Sequence, residues 1–277
     1  MRYPILVNQA ALPCEPGRAQ VVFLGINKSG SLAMAEVLRE AFQFERRDSE
    51  FISHYHQGKY SVDMPALVAA APAGRGFVVG HALYGALRPA ANRIWVTQFR
   101  HPLPRTISCY HWLKRKYETK EEKPYLSLRE FVERSRGISH SQIAQFGLGN
   151  GPCRTSRHKS LKAQDLLDIS IDVLHSNFSL IGIAEYFEES IFAFAAACGI
   201  GSVAPWARDT RNKGRKPVSD LEPDEVKLIE EYYAADYKLY AHALAIFKQQ
   251  TASLDFDPQT LRLYQDACKT QYNDRIL

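Results

Sequence analysis

Along the chain, short apolar runs alternate with longer stretches in which apolar residues return every three or four positions. This is the pattern of strands and helices wound around a parallel sheet covered on both faces. Residues 20–25 read as the first strand and 32–42 as the first helix, with Met34, Leu38, Ala41 and Phe42 on one stripe. Further short strands are predicted at 76–80, 94–98 and 179–183, and helices at 102–117, 126–135, 161–175 and 188–198. A last long helix is predicted over 223–247, because Val226, Ile229, Tyr233, Tyr237, Tyr240, Leu244 and Phe247 recur at helical spacing. Between the last two helices, 199–217 reads as a long basic loop, a length that in a compact domain usually carries function or stays disordered. The expected class is α/β: one domain over 1–277 with a core at about 20–247 and a C-terminal extension at 248–277.

Two places in this pattern carry chemistry. Lys28-Ser29-Gly30-Ser31 stands between the apolar run Val21–Leu24 and the helical pattern that begins at Leu32. Small residues at a strand-to-helix turn let backbone N–H groups face an anion, and the first helical turn adds unpaired donors and partial positive charge. Lys28 adds a full cation. A plain capped turn explains these four residues equally well when they are taken alone. The nucleoside triphosphate loop needs two glycines around four residues followed by Lys-Ser or Lys-Thr, and Gly25-Ile26-Asn27-Lys28-Ser29 does not supply it. In the second place, the β-prone run Arg93 to Gln98 is followed by Phe99-Arg100-His101-Pro102, with the proline suited to a first helical turn. Arg100 then stands at a strand's carboxyl end and Ser108 two turns into the next helix, where both can reach one phosphate.

With these two segments in hand, the chain resembles the superfamily of sulfotransferases that use 3′-phosphoadenosine 5′-phosphosulfate (PAPS), most closely the cytosolic-type and carbohydrate 2-O-sulfotransferase-like branch. Asn27-Lys28-Ser29-Gly30-Ser31 looks like that family's site for the donor's 5′-phosphosulfate. Arg100 and Ser108 match the pair that grips its 3′-phosphate, and Gly80-His81-Ala82-Leu83-Tyr84-Gly85 is similar to the family's Gly-His-x-x-Tyr-Gly segment. Phe178 to Glu185 looks like its late strand and helix start, and Asp236 to Tyr240 like its closing helix. The likeness runs over roughly residues 20–247 in the family's order.

The resemblance implies a P-loop-NTPase-like sulfotransferase fold and a PAPS co-substrate that leaves as 3′,5′-diphosphoadenosine. It further implies His81 as base and Lys28 as the cation that stabilises the leaving phosphate, with no metal required. It places Tyr84 and Gln142 toward the acceptor, and Arg211, Asn212 and Lys213 on a loop that closes over the nucleotide, although plain solvated charge explains that loop equally well; His54 and His56, in a polar segment at 53–59 that can fold over the acceptor, are rival bases. Arg105 is expected to brace the site rather than touch the donor, and His101 to be a local helix-start residue. Three departures stand out. Leu32 and Ala33 occupy positions where relatives carry hydroxyls, His101 replaces an acid, and Gln142 and Gln145 lack the arginine expected near them.

Composition narrows the field further. At 277 residues and 45% hydrophobic, the chain can bury a substantial core. A net charge of +5 suits a polyanionic donor, and no recognition motif accompanies it, so nucleic acid is not an expected partner. The five cysteines show neither zinc spacing nor a disulfide framework, and no signal or membrane-length apolar run is present, so a cytoplasmic enzyme is expected. The acceptor is expected to be a hydroxyl on a carbohydrate or small natural product. The alternatives are a nucleotide-dependent small-molecule kinase, which needs magnesium and an acidic metal ligand, and a noncatalytic nucleotide- or oligosaccharide-binding protein.

Overall fold

The computed structural model describes residues 1–53, 75–80, 93–121, 124–138, 140–147, 162–206 and 218–274. Its strands are β1 (Tyr3–Pro4), β2 (Gln20–Leu24), β3 (Phe51–Ser53), β4 (Gly76–Gly80), β5 (Arg93–Phe99), β6 (Phe178–Ile183) and β7 (Ser202–Val203). The described helices are α1 (Ser31–Phe44), α2 (Pro102–Glu121), α3 (Leu128–Ser135), α4 (Gln142–Gly147), α5 (Ala163–Asn177), α6 (Phe187–Ala197), α7 (Pro223–Tyr232), α8 (Ala234–Leu254) and α9 (Pro258–Asp274). Five strands form one sheet in the order β3-β4-β2-β5-β6, all parallel, and β1 pairs β7 antiparallel outside it.

β2 lies at the centre, and all five of its residues are buried. Alternation sends Val21 and Phe23 to one face and Val22 and Leu24 to the other, so the run must be apolar throughout. On the first face Phe23 joins Met34 and Leu38 of α1, Phe192 and Phe194 of α6 and Tyr264 of α9. On the second, Leu24 joins Phe146 of α4, Leu166 of α5, and Leu239 and Phe247 of α8. A fully buried Phe or Leu contributes about 1.5–3 kcal/mol. The layer order therefore follows from which stripe each helix carries.

The helix predicted over 223–247 is two helices. The chain turns at Tyr233 (φ −101°, ψ 22°) because the two halves pack on different bodies. Ile229 and Tyr233 enter a third cluster with Ile107 of α2 and Phe131 and Val132 of α3, and the Tyr233 hydroxyl donates to Ser135 Oγ at 2.8 Å. From Leu239 onward the stripe faces the sheet. The residues beyond 247, expected as a C-terminal extension, are largely helical as far as they are described. α8 continues to Leu254, and α9 lays Tyr264 against Phe192 and Tyr3, ring centroids 5.2 and 5.6 Å apart, with its hydroxyl donating to Ala204 O. α3 starts two residues later than its apolar pattern because Ser127 caps it, in a reciprocal box with Glu130. Among the described residues, no helix is long and apolar enough to cross a membrane.

Candidate active site

The parallel register brings the exits of three strands together. Leu24 pairs with Gly80 on one side and Thr97 on the other, Gly25 N–H donates to Gly80 O at 2.8 Å, and Thr97 Oγ1 donates to Leu24 O at 2.8 Å. The carboxyl ends of β2, β4 and β5 thus lie side by side at one edge of the sheet, where open parallel sheets bind ligands.

The turn after β2 is wound around one carbonyl. Ile26 O accepts from Ser29 N–H at 3.2 Å and from Ser29 Oγ at 2.8 Å. Lys28 (φ 67°) and Gly30 (φ 93°) both lie in the left-handed region, where a lysine is uncommon. At Gly30 a Cβ would meet Gln98 Nε2 at 3.1 Å, so the glycine answers both to its backbone angle and to close approach. Gln98, wholly buried on β5, donates through that nitrogen to Ser29 O at 2.8 Å. Gly30 is the N-cap of α1 and offers no side-chain cap, and the first helical bond runs from Met34 N–H to Gly30 O. The amides of Ser31, Leu32 and Ala33 therefore precede the helical ladder, at the positive end of the helix. Ser29 differs from expectation: it is fully buried, and its N–H and hydroxyl are both turned to Ile26.

The segment after β5 comes back to this turn. Arg100 Nη1 donates to Lys28 O at 3.2 Å, while Arg100 N–H donates to Gln142 Oε1 at 3.1 Å. One turn on, Arg105 is 1% exposed; its Nε donates to Asn27 O at 3.1 Å and its Nη2 to His140 O at 2.7 Å. Its Nη1 lies 3.6 Å from Asp236 Oδ2, a wholly buried carboxylate that also accepts from the N–H groups of Gln142 and Ile143 at 2.8–2.9 Å. Burial pushes the Asp236 carboxyl up, while Arg105 and the two amides pull it down. Lys28 Nζ lies 5.7 Å from the Trp112 ring centroid, and Lys116 Nζ lies 5.2 Å from the same ring. Cys109 stands on the same helix, and burial pushes its thiol up against the opposing pull of Arg105 and Lys28.

At the β6 side, His101 N–H donates to Glu185 Oε1 at 3.1 Å, and the imidazole packs edge-on against Tyr237 and Tyr240. Burial raises both phenols, with Glu185 adding to the effect at Tyr240, so neither is a base at neutral pH.

Of the residues singled out from sequence, the structure brings Asn27, Lys28, Ser29, Gly30, Ser31, Arg100 and Gln142 to one rim, with Ser108 buried on α2 at 4% exposure. Gln142, expected to face an acceptor, is wholly buried with its Oε1 on Arg100 N–H, and its Nε2 meets no hydrogen-bond partner among the described residues. His54, His56, His81, Tyr84, Arg211, Asn212 and Lys213 lie outside the described residues. Gln98, Trp112 and Asp236 were not singled out as site groups, whereas Arg105 was, as a residue expected to brace the site. A signal existed for Asp236: it sits three residues after Tyr233 and four before Tyr240, an acid on an otherwise apolar stripe. Among the described residues, no group of three His, Cys, Asp or Glu side chains is placed to hold a metal ion.

No family model matches the chain, and no curated protein does. The chain is similar to the crystal structure of a sulfotransferase from Alicyclobacillus acidocaldarius, with 15% identity and a TM-score of 0.44, over 83% of this chain and 96% of that one. A likeness that distant carries no activity across.

Proposed function

We propose that this chain is a sulfotransferase that moves a sulfuryl group from PAPS to an acceptor hydroxyl, on a carbohydrate or small natural product. The observation that supports it most is the meeting of the two cationic segments, Arg100 Nη1 lying 3.2 Å from the carbonyl oxygen of Lys28. A nucleotide with phosphates on both its 3′ and 5′ positions has two anionic ends for two such clusters to share. In this reading the amides at the start of α1 and Lys28 hold the 5′-phosphosulfate, and Arg100 with Ser108 holds the 3′-phosphate.

The acceptor oxygen attacks sulfur in line, the bond from sulfur to the bridging phosphate oxygen breaks, and its electron pair stays on the departing 3′,5′-diphosphoadenosine. The acceptor proton passes to His81, which follows the last residue of β4; an imidazole with an ordinary pKa near 6.5 is available as a neutral base. Lys28 offsets the charge that grows on the bridging oxygen. Positioning and charge stabilisation supply the rate, as in phosphoryl transfer.

Arg100→Ala tests the assignment of the two ends. Hydrogen bonds to charged groups are each worth about 1.5–3 kcal/mol, so the variant is expected to bind 3′,5′-diphosphoadenosine roughly 10–100-fold more weakly by calorimetry. Adenosine 5′-phosphate, which lacks the 3′ group, should lose much less, since for it the variant removes only the Arg100 contact to Lys28 O that steadies the turn. Equal losses for the two nucleotides contradict the assignment.

A further inference from the structure

The two anion-binding segments are tied into a closed ring of polar contacts. Arg105 donates to Asn27 O and pairs with Asp236; Asp236 accepts from the main-chain N–H of Gln142; Gln142 Oε1 accepts from Arg100 N–H; and Arg100 returns to Lys28 O, next to Asn27. Three of its members, Arg105, Asp236 and Gln142, are at most 1% exposed. Buried polar networks of this kind hold one geometry, because breaking any member leaves a desolvated group without its partner.

We infer that Arg105, Asp236 and Gln142 are positioning residues that fix the span between the 25–30 turn and Arg100, so that the site selects nucleotides by the separation of their two phosphates. The inference rests on the donor reading above and deepens it. The chemistry it distinguishes is regioisomeric: 3′,5′- and 2′,5′-diphosphoadenosine carry the same base, sugar and charge, and differ only in where the second phosphate sits. A rigid span rejects the wrong isomer, and a slack one accepts both.

Gln142 is the member that can be altered without touching the buried ion pair, since Asp236 contacts its main-chain N–H and only its side-chain oxygen serves Arg100. Gln142→Leu removes that acceptor. Gln142→Glu keeps an oxygen there and replaces Nε2, which has no hydrogen-bond partner among the described residues, by the hydroxyl of a carboxylic acid that burial beside Asp236 keeps neutral. The experiment measures calorimetric affinity for both isomers, together with amide hydrogen exchange over residues 27–31, in the wild type and both variants.

The expected result is a wild-type preference for the 3′,5′ isomer that falls about tenfold in Gln142→Leu, mostly through lost 3′,5′ affinity, and is largely kept in Gln142→Glu. Exchange over 27–31 should quicken about tenfold in the leucine variant alone. An unchanged preference, or equal loss for both isomers, overturns the inference. If the wild type binds neither isomer, the donor reading fails, and exchange decides the positioning claim: faster exchange in the leucine variant only upholds it, and unchanged exchange overturns it.

Discussion

Lys28→Ala is expected to lower sulfuryl-transfer turnover by about 10²–10³-fold while the protein stays folded. The magnitudes separate the two effects. Losing one aimed charge at a developing anion costs roughly 3–4 kcal/mol of transition-state stabilisation. The folded-state role of the ammonium beside Trp112, at 5.7 Å, is a cation–π contact worth about 0.5–1 kcal/mol at an exposed site. The left-handed backbone at residue 28 (φ 67°) is already borne by a side chain with a Cβ, so alanine adds no new steric term. Single-turnover kinetics and a melting curve on one sample read both quantities. Turnover within a few fold of wild type removes Lys28 from the mechanism.

Asp236→Ala is expected to destabilise the protein by about 3–5 kcal/mol, the cost of stranding one partner of a buried ion pair. At roughly 2–4 °C per kcal/mol for chains of a few hundred residues, the melting temperature should fall on the order of 10 °C. The mutation does more than remove an ion pair. It leaves Arg105, 1% exposed, without its counter-charge, and takes the acceptor from the first two amides of α4, Gln142 and Ile143. The double variant Asp236→Leu with Arg105→Met is expected to recover part of the stability, since apolar replacements of a buried pair are often tolerated. It should not recover nucleotide affinity, because Asn27 O and His140 O have lost their donor. A drop below about 1 kcal/mol in the single variant, the scale of an exposed pair, contradicts this account of Asp236.

What the sequence disclosed and what it hid have separate physical causes. β2, β4, β5, α1 and α2 were legible because each has a strong local signal: an unbroken buried run, a 3.6-residue stripe, or Pro102 at a helix start. The loop at Lys28 and the arginine after β5 were legible for the same reason, since both are punctuation between elements. The break at Tyr233 was hidden because Val226 to Phe247 keeps one helical period across it, and the turn comes from tertiary packing on two different clusters. α4 was hidden because six residues give too little periodicity, and its N-terminus is capped from far away in sequence, by Asp236. The two-residue strands β1 and β7 have no local signal at all. Gln142 shows the same limit at the site: nothing near it in sequence says that its oxygen meets the backbone of Arg100, 42 residues away.

In the proposed site, the turn at Lys28 and the arginine at position 100 share a single twice-phosphorylated adenosine. A melting-point comparison of 3′,5′-diphosphoadenosine with ADP and ATP at equal concentrations tests this most directly, because a ligand that binds only the folded protein raises its melting temperature. A clear rise with 3′,5′-diphosphoadenosine, several degrees above any seen with ADP or ATP, is the predicted result. A larger rise with ATP or ADP, or none with any of the three, contradicts it.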